Sequence, residues 1–354
     1  MSKAPAVAVF GAGPAGTMAA LQLARAGLNV QIIARQLQRR CGFAETLSPE
    51  GRSALALAGL WGRLPRGVAV PCPVVVSAWE RPEPSYRSFI TNPYGCAWHV
   101  DRPRFDSWLL SEAEIAGVTL VTGTVIGIRR TNGHWAFDVR HTDGKAWAAN
   151  ADFLVVATGR YGPAVRLGNR ERIDALCLIG GLSEPMADAG NALLIEAAAD
   201  GWWYSAPVPG GRMFAGWMMD ANLMAGKRYG EAMEAAFSRA PLTRARLANP
   251  PEACCVGVAS SAMRPCAGKG WIAVGDAALA RDPLSGEGLA YALRSARESA
   301  ETILSALEGD PSAWQAASIR GAAAVAQYRN QKAFAYRAAQ HRWPRERFWA
   351  RRLS

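Results

Sequence analysis

The loop Gly11-Ala12-Gly13-Pro14-Ala15-Gly16 restricts the fold more than any other feature of the chain. It follows an apolar run at residues 6–10, which suits a buried parallel strand. It precedes residues 17–26, which are rich in alanine and leucine, lack breakers and favour a helix. Gly27 is placed to end that helix with a left-handed cap, and residues 30–33 read as a second strand. Strand, glycine loop, helix and strand in this order form the βαβ setting that gives a Gly-x-Gly-x-x-Gly pattern its meaning. Gly11 permits the tight turn, Gly13 lets the backbone approach a pyrophosphate, and Gly16 allows close helix–strand packing. The helix N-terminus then offers free N–H groups and a favourable dipole to phosphate. The acid that usually ends the second strand and binds ribose is missing, because Ala34 stands in its place. Arg35 beside it reads either as a contact to an adenosine phosphate or as a solvated strand end.

A second motif lies far downstream. A strand at residues 271–274 runs into Gly275-Asp276-Ala277-Ala278, then Asp282-Pro283-Leu284-Ser285-Gly286-Glu287-Gly288, then a helix over about residues 290–307. An acid at a strand end can bind a polyol chain, and a helix N-terminus can stabilise negative charge. A flavin needs both: Asp276 for the ribityl hydroxyls and the helix dipole for the reduced ring.

Between the motifs, residues 117–121, 124–129 and 135–140 read as strands, with Thr131-Asn132-Gly133 as a hairpin turn. Residues 153–157 form another buried strand ending at Thr158-Gly159-Arg160. Residues 72–79 and 202–217 read as strands of a second lobe, and 228–240 as helix. The expected organisation is interwoven: residues 1–70, 99–165 and 265–319 form a dinucleotide-binding domain, 71–98 and 166–264 a substrate lobe, and 320–354 a basic helix and tail. The fold class is α/β, a Rossmann-like domain with an interwoven β-sheet substrate domain and a C-terminal helical segment.

Composition sharpens this. With 50% hydrophobic residues in 354, a sizeable core is expected and global disorder is excluded. The net charge of +11 is concentrated: residues 320–354 hold nine basic side chains and one acid, Glu346, and the rest of the chain is nearly balanced. Nucleic-acid binding is therefore not expected. The basic segment either packs Trp343, Phe348 and Trp349 onto the body or docks an acidic protein partner; packing is favoured. The seven cysteines show no Cys-x-x-Cys, so reduced, packed thiols are expected rather than a zinc site or a disulfide framework. The four histidines lack metal-ligand spacing, so no metal is expected. No export signal and no membrane-spanning run is visible, which points to the cytoplasm.

These motifs resemble the FAD-dependent monooxygenases of the para-hydroxybenzoate hydroxylase type. The resemblance rests on GAGPAG at 11–16, VDRPRFDSWLL at 100–110, ATGR at 157–160 and GDAALARDPLSGEGL at 275–289. It implies that Gly11, Gly13, Pro14, Ala15 and Gly16 cradle the FAD pyrophosphate, Arg102 lies along the FAD and Val125 sits on the adenine-side strand. It further implies that Gly275 and Asp276 bind the ribityl chain and that Pro283, Gly286 and Gly288 belong to the loop beside the flavin ring. An ion pair of Arg102 with Asp106, four residues on along a helix, is an equal reading. More narrowly, AETLSP at 44–49, NPYGCAWHVDRPRFD at 92–106, GWWYSAPVPGG at 201–211 and the terminal RWPRERFWARR resemble the branch of flavin-dependent halogenases and their non-halogenating relatives. Halogenases of that branch carry Trp-x-Trp-x-Ile-Pro and an N-terminal catalytic lysine. Here the motif reads Trp202-Trp203-Tyr204-Ser205-Ala206-Pro207, and no lysine stands between Lys3 and Lys145.

The resemblance therefore implies a monooxygenase using FAD, with NAD(P)H as a transient reductant, that hydroxylates an electron-rich aromatic through a flavin C4a-hydroperoxide. Relatives act on small aromatics or on a tryptophan of a partner protein that becomes a quinone cofactor, so an aromatic small molecule and a protein or peptide substrate are both open. A flavin-dependent reductase and a partner-binding protein with a degenerate FAD site are the alternatives. No catalytic triad is visible. His99 is the best candidate for a polar active-site contact, although a structural histidine is the more common outcome. Trp202, Trp203 and Tyr204 are candidates to line an aromatic-substrate pocket; strand alternation sends Trp203 to the opposite face from the other two.

Overall fold

The computed structural model describes residues 4–35, 44–160, 167–223 and 228–352. Its helices, in chain order, are α1 (Pro14–Arg25), α2 (Pro49–Leu57), α3 (Arg102–Ile115), α4 (Tyr229–Phe237), α5 (Pro241–Arg244), α6 (Gly288–Leu307), α7 (Ala313–Gln340) and α8 (Arg347–Ala350).

The βαβ opening forms a six-stranded sheet in which Ala6–Phe10 is central. Its neighbours are Asn29–Ala34 on one side and Phe153–Val156 on the other, both parallel to it. Thr119–Thr122 extends one end, and Trp271–Ala273 with the antiparallel Ala267–Gly268 extends the other. Strand alternation divides the central strand between two cores. Val7 and Val9 face a cluster containing Met18, Leu21, Phe105, Leu109 and Leu293, which places α1, α3 and α6 on one face. Ala8 and Phe10 face Phe137 and Val139 of an antiparallel meander, with the Phe10 and Phe137 rings 5.2 Å apart edge to face. The meander turns where it was expected to: Asn132 (φ 51°) and Gly133 (φ 86°) are both left-handed, the signature of a two-residue hairpin loop.

A separate seven-stranded sheet has the order Cys254–Gly257, Leu176–Ser183, Arg212–Asp220, Gly201–Val208, Leu193–Ala198, Val74–Ala78, Ser85–Ser88. The strand expected at 72–79 is split at Pro73, which cannot donate to a ladder. Ala69–Cys72 instead joins a small sheet with Ala44–Leu47 and Ala97–Asp101, while Val74–Ala78 enters the large one. One face of the large sheet carries Trp202, Phe214 and Met218 against Tyr336, Phe348 and Trp349 of the C-terminal segment. The other carries Trp203, Trp217 and Met219 against Met233 and Phe237 of α4.

The C-terminal segment is bound to the body. Trp349 and Phe348 are 0% and 1% exposed, and Trp349 Nε1 donates to the Ala198 carbonyl at 2.9 Å. Its cations turn inward as well: Arg352 bonds Asp220 at 2.8 Å, Arg342 donates to the carbonyls of Ala78 and Trp79, Arg329 pairs with Glu171, and Lys332 with Asp174. At these positions the segment packs on the body, as expected, and the acids that meet its charge belong to the same chain. The cysteine expectation is corrected at one place. Cys72, Cys96, Cys177, Cys255 and Cys266 are free, but Cys254 is disulfide-bonded. Cys41 lies outside the described residues.

Candidate flavin site

The two glycine motifs, more than 250 residues apart in sequence, meet in space. Gly275 sits between the first turn of α1 and the second turn of α6: a Cβ there would stand 2.7 Å from Ala15 Cβ and 3.7 Å from Ala292 Cβ. Its N–H donates to Ser295 Oγ at 2.9 Å, and its φ of 55° is a conformation that favours glycine. Gly11 and Gly16 are equally crowded. A Cβ on Gly11 would lie 2.3 Å from the Ala157 carbonyl oxygen, and one on Gly16 would lie 2.1 Å from the Gly11 carbonyl oxygen.

Gly13 is different. It is the N-cap of α1, with no side-chain cap, and nothing lies within 4 Å of where its Cβ would be. Pro14 occupies the first turn without needing a partner for an N–H, and no side chain caps the amide groups that follow. The N-terminus of α6 repeats this arrangement. Glu287 gives no side-chain cap, Gly286 is left-handed at φ 61°, and an added Cβ at Gly286 or Gly288 would meet nothing. Two uncapped helix N-termini flanked by open backbone are what a diphosphate and a flavin ring that gains negative charge require, so the residues present fit FAD.

A cluster of charged side chains, from buried to about a third exposed, lies beside these termini. Asp276 pairs with Arg160 at 3.2 Å. Burial raises the Asp276 carboxyl above the usual carboxylate range, and the Arg160 guanidinium opposes that rise. Arg160 also donates to the carbonyls of Ala259 (2.8 Å) and Arg281 (3.1 Å), and so ties three segments together. Arg102, 7% exposed, pairs with both Glu45 and Asp106, the latter at 3.1 Å; despite the burial, these two carboxylates hold it firmly charged. The ion pair expected with Asp106 is thus present, joined by Glu45 from the strand Ala44–Leu47. Glu45 and Arg102 both act electrostatically on Asp276, so the four side chains share one field.

Sequence reasoning placed Asp276 and Arg102 here but assigned no role to Arg160 or Glu45. Both lie inside motifs that carried the family resemblance, ATGR and AETLSP, and that was the available signal. Val125 is half-buried in the meander opposite Val139, and Arg35 is exposed at the end of Asn29–Ala34. His99 has a structural post. It is 0% exposed, with Nδ1 3.1 Å from Thr46 Oγ1 and Nε2 3.0 Å from the Asn191 carbonyl. Burial pushes its pKa down to about 4. Both ring nitrogens are engaged, which corrects the candidacy of His99 as a contact to substrate. Trp202 and Tyr204 share one face of the sheet, with the Tyr204 hydroxyl donating to the Ala44 carbonyl. Trp203 points the other way, 0% exposed and packed on Trp217 and Phe237; as a pocket-lining residue it is therefore corrected. Among the described residues no group of three or more His, Cys, Asp or Glu side chains is placed to hold a metal ion, and no helix is long and apolar enough to cross a membrane.

Comparison with known proteins agrees with this geometry. The chain matches the FAD binding domain family over residues 4–328. It is 25% identical over 330 residues to a tryptophan 2-halogenase from Chondromyces crocatus, covering 86% of this chain and 62% of that protein. It is 24% identical over 359 residues to the putative FAD-dependent oxidoreductase LodB of Marinomonas mediterranea, covering 97% of this chain and 95% of the relative. Among solved structures, the flavin-dependent halogenase CmlS superposes with a TM-score of 0.91 at 24% identity, over 100% of this chain and 68% of that one. The peptidyl tryptophan dihydroxylase QhpG, essential for tryptophylquinone cofactor biogenesis, superposes with a TM-score of 0.78 at 29% identity, over 99% of this chain and 79% of that one. The chain thus spans somewhat under two thirds of the tryptophan 2-halogenase but nearly all of LodB. It belongs to the FAD binding domain family and is an FAD-dependent oxidoreductase.

Proposed function

We propose that the protein hydroxylates an electron-rich aromatic group, an indole in the first instance, carried either by a small molecule or by a tryptophan of a partner polypeptide. The observation that carries this reading is the 29% identity to a peptidyl tryptophan dihydroxylase over 99% of the chain, on a sequence with no lysine between Lys3 and Lys145 to support halogenation. In this reading FAD supplies the oxygen chemistry and NAD(P)H the reducing electrons. The protein's own residues bind and orient the cofactor. Gly11, Gly13, Pro14, Ala15 and Gly16 cradle the pyrophosphate at the α1 N-terminus. Gly275 and Asp276 take the ribityl hydroxyls, Arg160 keeps the Asp276 carboxylate oriented, and the turn Pro283–Gly288 brings the α6 dipole to the ring. Arg102 and Val125 flank the nucleotide half, with Arg35 at its outer end. Residues 71–98 and 166–264 form the substrate lobe, where the Tyr204 hydroxyl reaches the Ala44 carbonyl of the cofactor-binding domain, while Trp202, 1% exposed beneath the C-terminal segment, lines no pocket.

The test is reconstitution with FAD, followed by turnover with an indole-containing peptide and with free tryptophan under air and under nitrogen. A product heavier by one or two oxygen atoms, formed only with oxygen, supports the reading. Reduction of the substrate without oxygen would replace it with a flavin-dependent reductase. Failure to bind FAD at all would leave a partner-binding protein.

A further inference from the structure

The loop between the Gly275-Asp276 turn and α6 begins at Asp282, a carboxylate only 2% exposed. One oxygen, Oδ1, accepts the Leu284 N–H at 3.0 Å and closes the turn Pro283–Ser285. The other, Oδ2, accepts the Tyr336 hydroxyl at 2.7 Å and lies 3.8 Å from Lys332 Nζ. The Asp282 N–H donates to the Tyr328 hydroxyl at 2.9 Å. Tyr328, Lys332 and Tyr336 are spaced by four residues along α7, so one helical face meets one residue three times. Each rung is anchored on its far side. Tyr328 shares a 2.6 Å hydrogen bond with Ser260, Lys332 pairs with Asp174, and the Tyr336 hydroxyl accepts the Trp202 indole N–H at 3.0 Å. All of these partners are buried or nearly so, and Trp202 is 1% exposed.

A helix cap or a stable turn needs one or two of these bonds, not a ladder drawn from another element. A buried carboxylate costs free energy unless its whole environment is arranged for it, and such arrangements give positional precision. We propose that Asp282 is a positioning residue for the flavin-side loop. The α7 ladder Tyr328–Lys332–Tyr336 holds it in place, and the Tyr336–Trp202 hydrogen bond ties that position to the substrate lobe. This rests on the proposed placement of FAD beside Pro283–Gly288. Trp202 then acts on the cofactor without touching it: a substrate that shifts the Gly201–Val208 strand shifts Tyr336, Asp282 and the turn.

The experiment uses the full chain with saturating FAD and reads the flavin absorbance spectrum, the FAD dissociation constant and the thermal midpoint. Asp282→Asn keeps the volume and loses the charge. It is expected to weaken FAD binding about tenfold or more and to shift the bound-flavin bands. Tyr336→Phe, which removes only the bridging hydroxyl, is expected to give a smaller shift in the same direction, and so is the remote Trp202→Phe. If Asp282→Asn does not fold, the other two variants decide. Loss of thermal stability with an unchanged bound-flavin spectrum and FAD affinity in the folded variants would reduce the ladder to packing and overturn the proposal. A wild-type protein that binds no FAD would overturn the site assignment itself, and is told apart because it fails before any substitution is made.

Discussion

At the residue scale, the three loop glycines look alike in the sequence and differ in the structure. Gly11 and Gly16 are glycine because protein lies where a side chain would go, whereas Gly13 faces empty space. Gly13 also has φ −76° and ψ 174°, a conformation open to any residue. Gly11→Ala, at φ 116°, is therefore expected to destabilise the fold by about 3 kcal/mol or more, measured by denaturant unfolding. Gly13→Ala should cost only about 1 kcal/mol yet weaken FAD binding at least about tenfold, measured by flavin fluorescence quenching. His99 gives a second test. Its pKa is about 4 in the fold against 6.5 for the free side chain, so the unfolded chain takes up the proton first as pH falls. Its contribution to stability is complete above pH 6.5 and is lost as pH drops toward 4, up to about 3 kcal/mol. Unfolding of wild type and His99→Gln at pH 7 and pH 4.5 should show a steeper loss in wild type. The glycine motif was legible because its meaning is local. The role of His99 was not, because its burial depends on a small sheet assembled from residues 44, 69 and 97 onward.

At the element scale, periodicity and turn chemistry were enough for the five parallel strands of the six-stranded sheet, the meander hairpin and α6, but not for the short antiparallel edge Ala267–Gly268. They failed where one apolar run serves two sheets. Residues 72–79 read as a single strand, and only the missing N–H of Pro73 shows where the chain changes partners. A short helix that the sequence did not announce is α5, whose first-turn amides have no cap of their own. Glu196, 5% exposed on the neighbouring strand, accepts the N–H groups of Leu242 at 3.1 Å and Thr243 at 2.7 Å. Glu196→Gln puts an NH2 group against one of those donors. It is expected to cost about 1–3 kcal/mol, read as a lowered unfolding midpoint, with FAD affinity unchanged.

At the scale of the whole molecule, charge left two readings open. A +11 chain with most of its excess in the last 35 residues suits either an acidic partner or a segment packed on the body, and the aromatic residues of that segment favoured packing. The fold shows Arg352, Arg342, Arg329 and Lys332 spent on the body, with Phe348 and Trp349 sealing the cluster around Trp79, Trp202 and Tyr336. Burying either aromatic contributes about 1.5–3 kcal/mol. Truncation after Arg342 is therefore expected to leave a chain that aggregates or unfolds at much lower temperature by circular dichroism. A truncated chain that stays folded and keeps its flavin would assign the segment to an outside partner instead. No local pattern could name the ion-pair partners, because the acids that meet Lys332, Arg329 and Arg352, namely Asp174, Glu171 and Asp220, lie more than a hundred residues upstream of them.

The long reach of α7 also bears on how the fold closes. The glycine loop at residues 11–16 packs against Ala157 at the end of the strand Phe153–Val156, but the turn Pro283–Ser285 is anchored through Asp282 by Tyr328, Lys332 and Tyr336. The shape of that turn thus depends on chain 46 to 54 residues further along, and it is complete only once α7 has folded back across it.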